Sequence, residues 1–220
     1  MARKTKAEAQ LTRSRILDAA EQLFEARGVS RSSLQDIANA AGVTRGAIYW
    51  HFQDKGALFN AMMERVRLPL EEAASGLELE PDGGRAPLER LRCLLLATLA
   101  HVTGDAQVRR VFEIATHKVE YIDELAAVRQ RHLLAVQAHC ATIERALLRA
   151  GCSPEIARGQ ALGLHALVAG LIHTWMLDAT AFDLVATGRL AIDTHLQGIT
   201  PTLTRLQDAG ARALCPRRRA

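Results

Sequence analysis

Residues 32–59 read SSLQDIANAAGVTRGAIYWHFQDKGALF. Leu34, Ile37, Ala38 and Ala41 recur at i, i+3, i+4 and i+7, the spacing of an apolar stripe along one side of a helix. Ser32 opens an S-x-x-Q sequence with Gln35, which predicts a capping box at the start of that helix. Gly42 follows the last apolar position and can take the left-handed conformation that ends a helix. Val43 is expected to turn back and pack between the helices, and Thr44 to cap the next one. Two short helices around a glycine turn are the layout of a DNA reader.

The second helix, Arg45 to about His51, carries the chemistry. Ile48 and Phe52 stand four apart and can anchor it to a core, which leaves Arg45, Gly46, Ala47, Tyr49 and Trp50 on or near the other faces. A helix that enters the major groove with its N-terminal end first needs a polar, small and cationic start. An Arg can fork onto guanine O6 and N7, and small residues let the backbone come close. Gly46 lowers helix stability by roughly 1 kcal/mol relative to Ala, which makes sense where a side chain would strike the duplex. Thr44, Tyr49, His51 and Lys55 are candidate phosphate ligands, with Ser33 and Trp50 assigned to the same DNA-binding set. Lys55 follows Asp54, a plausible cap, so its ammonium and the N–H groups of a new helix can share one anionic oxygen.

The pattern A-x-x-A-G-V-T-x-G-x-I-Y-x-H-F-x-x-K-x-x-L-F, from Ala38 to Phe59, resembles the DNA-binding segment of the TetR family of transcriptional regulators. The wording VTRGAIYWHF looks most like its AcrR-type multidrug-efflux repressors. The likeness extends back through Arg15-Ile16-Leu17-Asp18-Ala19-Ala20 and Leu23-Phe24 to Gly28, a helix whose positions 16, 17, 20, 23 and 24 form one bracing face. It covers about fifty residues strongly and the remainder in outline. It implies an all-α fold of about nine helices: a three-helix helix-turn-helix DNA-binding domain joined to a larger helical ligand-binding and dimerisation domain. It also implies a repressor that leaves a palindromic operator when a small apolar or aromatic inducer binds. A TetR-type regulator of a metabolic or other non-efflux operon is the alternative.

Charge is unevenly placed. The chain has 220 residues and a net charge of +4; residues 1–60 hold +3, residues 211–220 hold +4, and the middle holds −3. Basic ends and an acidic centre suit a protein whose terminal part meets a polyanion. Arg3, Lys4 and Lys6 precede the first helix as an arm able to follow the backbone or minor groove. The division expected is a basic arm over 1–10, the DNA-binding domain over 11–54, the helical domain over 55–207 and a basic tail over 208–220. Cys93, Cys140, Cys152 and Cys215 lie far apart with no C-x-x-C spacing, which points to a reducing cytoplasm and no zinc knuckle. MARKTKAEAQ has no apolar stretch behind its charges and reads as no signal peptide. Residues 159–177 lack Asp, Glu, Lys and Arg, but Gln160, His165, His173 and Thr174 favour a dimer-core helix over a membrane span.

Beyond the reader, a helix from about 55 to 79 is expected to link it to the body, and residues 80–87 read as a loop. Further helices are expected over 88–102, 106–116, 120–149, from Ser153-Pro154 to 177, and from 184 to 207. The last two carry more apolar surface than one chain needs, with Leu184, Ile192, Leu196, Ile199 and Leu203 in register on the final helix. In TetR-like proteins these two helices build a four-helix contact, so a homodimer is expected, spacing two readers about 34 Å apart.

Polar residues also sit on faces that should be internal. Phe112 and Thr116 share a face with Val119, beside Glu113 and His117; Val136, His139, Cys140 and Ile143 share another; His165, Val168, Ile172, His173 and Met176 a third, with Ala169. With Met62, Met63, Val66 and Leu70 of the linking helix, these are the candidate lining of a ligand pocket that grips flat apolar compounds by burial. A ligand wedged there is expected to swing the linking helix and change the distance between readers. No cofactor is expected, and a metal site is the weaker reading because no acidic or Cys partner stands at ligand spacing with the histidines. Paired carboxylates, a Ser/His/Asp arrangement and a glycine-rich phosphate loop are absent from the sequence, which argues against an enzyme. A non-specific architectural DNA binder is the remaining rival.

Overall fold

The computed structural model describes residues 6–66, 87–120 and 126–214, and side chains as far as residue 199. Among these residues are nine helices and no strand: α1 (Lys6–Arg27), α2 (Leu34–Ala40), α3 (Arg45–His51), α4 (Lys55–Met63), α5 (Pro87–Gly104), α6 (Ala106–His117), α7 (Ala126–Arg149), α8 (Pro154–Leu177) and α9 (Leu184–Leu214). They divide into two compact units.

The first unit joins Met1–Leu68 to Gly104–Ala135. Helix α1 packs on α2, α4 and α6, burying Ile16, Leu17, Ala20 and Phe24, with the Phe24 and Phe59 rings 6.2 Å apart. On α6 the apolar positions Val108, Val111 and Ile114 are buried in turn. Glu21, only 3% exposed, accepts from Arg65 at 2.8 Å and from Gln107 Nε2 at 3.2 Å, while Arg65 also reaches Asp18 at 2.7 Å. One buried carboxylate thus ties α1, the end of α4 and the start of α6. A backbone bond from Val29 N–H to the Lys118 carbonyl, 2.9 Å, fastens the other end of α6, and the Arg110–Glu25 pair at 3.1 Å ties its middle to α1.

The second unit joins Pro69–Thr103 to Val136–Ala220. Helices α8 and α9 pack together, with Ala157, Ala161, Leu164, Val168, Ile172 and Trp175 buried on one and Leu184, Ile192, Leu196 and Ile199 on the other. The approach of α9 is close at Gly188, where a Cβ would overlap the Leu99 side chain of α5. Arg92 of α5 forks onto Asp193 of α9 at 2.6 and 3.0 Å, and this hydrogen bonding holds the Asp193 carboxyl below the usual carboxylate range.

Four local expectations change. The capping box is formed by Ser33 and Asp36, not by Ser32 and Gln35. Ser32 is buried and donates to the Gly28 carbonyl at 2.8 Å, while Gln35 donates one turn on to Asn39 at 2.9 Å. The helix from Lys55 ends at Met63, with Glu64 as its C-cap, instead of running to 79. Pro87 begins α5 instead of closing a loop, since its fixed φ suits a first helical turn. The final helix continues past 207 to Leu214. The expected stretches 67–79 and 80–86, the start of the helix expected from 120, and the ends 1–5 and 215–220 lie wholly or largely outside the described residues.

Candidate nucleic-acid interface

Helix α3 is set by its caps. Thr44 is extended, and its Oγ1 accepts from Ala47 N–H at 3.2 Å; at the other end Phe52 closes the helix onto the Ile48 carbonyl. Ile48 is fully buried and Phe52 4% exposed, so one side is anchored. Gly42 makes the turn that places it, with φ +64°, and Val43 is half-buried, its N–H donating to Ala38.

The opposite side is open. Arg45 and Gly46 are exposed and Ala47 half-buried, while Tyr49 is 48% and Trp50 73% exposed. A Cβ added at Gly46 would meet nothing within 4 Å, and Gly46 has no positive φ. Nothing inside the fold requires a glycine there. Arg45 lies 5.7 Å from the Tyr49 ring centroid and Trp50 meets His51 edge-to-face at 4.6 Å, so the polar tips of this face are braced by aromatic contacts.

The flanking phosphate candidates are more constrained. Ser33 is exposed, but its hydroxyl serves the box with Asp36, and that hydrogen bond lowers the Asp36 carboxyl. Lys55 is 7% exposed and donates to the Ser30 carbonyl at 3.2 Å. Asp54 caps α4 by accepting from Ala57 N–H at 2.7 Å. In the arm, Lys6 is exposed and begins α1.

Two residues that periodicity does not single out shape this face. Arg15 donates from α1 to the Ala41 carbonyl at 2.7 Å, and its guanidinium stands 3.1 Å from where a Cβ on Gly42 would be. Arg13 lies over the Phe52 ring at 5.3 Å. The only signal for either is a cation on the side of α1 that the reader must cover.

The candidate ligand residues fall in both units. In the first, Val66 is buried, Met63 and Phe112 are half-buried, and Thr116 is exposed with its hydroxyl donating to Phe112. Leu70 lies outside the described residues. In the second, α7 and α8 bring His139 and His165 together, their rings 5.6 Å apart. His139, Ile143, Val168 and Ile172 are buried; Val136, Cys140, His165 and Met176 are half-buried. Burial raises the Cys140 thiol pKa. His173 instead lies exposed on α8. No group of three or more His, Cys, Asp or Glu able to hold a metal occurs among the described residues.

Residues 16–62 match the model of the tetR family of bacterial regulatory proteins, and residues 86–200 match the C-terminal region of MAATS-type transcriptional repressors. The HTH-type transcriptional regulator TtgR of Pseudomonas putida is 39% identical over 206 residues, covering 89% of this chain and 95% of the relative. NalD, the secondary repressor of the MexAB-OprM multidrug efflux pump in Pseudomonas aeruginosa, is 36% identical with a TM-score of 0.75, covering 86% of this chain and 96% of NalD. SmeT, the repressor of the Stenotrophomonas maltophilia multidrug efflux pump SmeDEF, solved with triclosan, is 32% identical with a TM-score of 0.73, covering 86% and 91%. The capped reader helix, the bracing α1 and the helical body are those of this group, and the chain belongs to the TetR family of bacterial transcriptional regulators.

Proposed function

We propose that this protein is a ligand-responsive repressor of a multidrug-efflux operon, acting in the cytoplasm as a homodimer on a palindromic operator. The observation that carries the proposal is the open N-terminal face of α3: Arg45 exposed, Gly46 with free space where its Cβ would be, and Ile48 and Phe52 holding the opposite side. The efflux assignment is supported by NalD and SmeT, both repressors of such pumps. In this reading Arg45 reads a base, Gly46 and Ala47 admit the backbone to the groove, and Thr44, Tyr49, Trp50, His51 and Ser33 line the phosphates. Lys55, 7% exposed and bonded to the Ser30 carbonyl at the start of α4, is read as a phosphate contact at the edge of this face.

The dimer is supported by α8. It has no charged residue from Gly159 to Leu177, and it alone among the described helices is long and apolar enough to cross a membrane. Its buried stripe faces inward, yet Leu162 is 59% and Leu177 68% exposed, beside exposed Gly159, Gly163, Ala166, Ala169 and Gly170. Small residues in a strip let a second helix approach closely. The inducer is a small apolar or aromatic compound, a reading supported by the complex of SmeT with triclosan, held by burial against Ile143, Val168 and Ile172 with His139, His165 and Cys140 as polar contacts.

Competition gel shifts at fixed salt test the DNA assignment. One palindrome is expected to bind about a thousandfold above random duplex. Arg45→Ala should relax preference at one base per half-site, at about 1–3 kcal/mol, while Lys55→Ala should weaken all sequences alike and flatten the salt slope. Equal affinity for every duplex, or identical behaviour of the two variants, refutes the assignment.

A further inference from the structure

We infer that Tyr49 is a positioning residue for base reading: its ring holds the Arg45 guanidinium on the open face of α3, ready to fork onto a guanine. The inference rests on the assignment of Arg45 as the base reader, and it gives Tyr49 a second duty beside its phosphate contact. Arg45 and Tyr49 stand four apart, so they are neighbours on one side of the helix. The guanidinium carbon lies 5.7 Å from the ring centroid, within the roughly 6 Å over which a cation is drawn to an aromatic face.

The surroundings leave this contact to the two residues. Arg45 is exposed, and among the described residues it forms no ion pair, so the Tyr49 ring is what its charge rests on. Gly46 has no side chain to intrude, and Ala47 is half-buried. Trp50 is 73% exposed, but it stands five residues from Arg45 and meets His51 edge-to-face at 4.6 Å instead. Tyr49 itself is 48% exposed, an open shelf and not a core group, since Ile48 and Phe52 anchor the helix.

An arginine at an exposed helix end has many rotamers, and forking onto O6 and N7 of a guanine fixes it in one. A guanidinium already resting on a ring gives up less freedom, which strengthens binding without a new contact to DNA. The gain is specific to guanine, because with adenine at that position the fork does not form and nothing is ordered. Loss of the ring should therefore lower base discrimination, whereas loss of a phosphate contact weakens every sequence alike. An exposed contact of this kind corresponds to about two- to fivefold per half-site and, for a two-fold dimer, about five- to thirtyfold per palindrome.

Fluorescence anisotropy on the full chain at fixed salt tests the inference. The probes are a palindrome selected from random duplexes and the same duplex with adenine in place of the guanine at which Arg45→Ala relaxes preference. The readout is the ratio of affinities for the two. Tyr49→Leu and Tyr49→Gln, at an exposed helical position, should each lower that ratio by about five- to thirtyfold while melting as the wild type does. Tyr49→Phe keeps the ring, and should keep the ratio while binding both duplexes more weakly. In the Arg45→Ala background Tyr49→Leu should change the ratio no further, since the group it positions is gone. If one ring-deleting variant does not fold, the other decides. A wild-type ratio in a folded ring-deleting variant, an equal fall in Tyr49→Phe, or a further fall in the Arg45→Ala background overturns the positioning role. An Arg45→Ala variant that relaxes no guanine is a different result: it refutes base reading by Arg45, and the inference with it.

Discussion

Replacing Gly46 by Ala separates fold from function by sign. The added Cβ meets no atom within 4 Å, and Gly46 already has a φ that L residues adopt, so the free protein suffers neither clash nor strain. Alanine is the better helix former, and the exchange should stabilise the protein by up to about 1 kcal/mol. In a chain of this length that raises the melting temperature by roughly 2–4 °C. If α3 enters the groove as proposed, the same methyl group stands between its backbone and the DNA. Loosening one hydrogen bond weakens binding by about 1 kcal/mol per half-site, and a two-fold dimer doubles it to about 2 kcal/mol, roughly thirtyfold in operator affinity. Differential scanning fluorimetry and fluorescence anisotropy on a labelled operator at fixed salt read the two effects. A variant that melts higher and binds operator as tightly as the wild type refutes the groove assignment of α3; one that melts lower refutes the structural account of position 46.

Three other substitutions probe the two units, one in the first and two in the second. Glu21→Ala removes a carboxylate that is 3% exposed, while Arg65 keeps Asp18; the expected loss is about 2–3 kcal/mol, a fall in melting temperature of about 5–10 °C by thermal scan. Asp193→Asn tests the fork with Arg92: because the folded carboxyl sits below its ordinary value of 3.8, the pair stabilises fully above that pH and is lost as pH falls through the folded value. The melting gap between wild type and variant should thus be full at neutral pH and close in acid; a constant gap argues against the pair. Leu162→Lys puts a charge in the exposed apolar strip of α8 and should shift sedimentation velocity from dimer to monomer without lowering helicity.

What could be read from residues alone was what short spacing decides. Caps, a left-handed glycine and i, i+4 burial act within one turn of chain, so Gly42, Thr44, Ile48 and Phe52 occupy the places their types dictate. Even there, two adjacent serines left the cap ambiguous. Packing resolved it by burying Ser32 against Gly28 and leaving Ser33 to Asp36. The apolar period beyond Lys55 carries no sign of the stop at Met63, where the chain leaves the helix with Glu64 as its C-cap.

Tertiary structure decided the rest. The Glu21 carboxylate meets side chains 44 and 86 positions away, and Arg92 meets Asp193 across 101. The same distance effect groups α6 with the reader. Local sequence encodes which face of each helix is apolar, but which helix covers that face depends on how the whole chain closes. The partners of buried charges are therefore settled only in three dimensions.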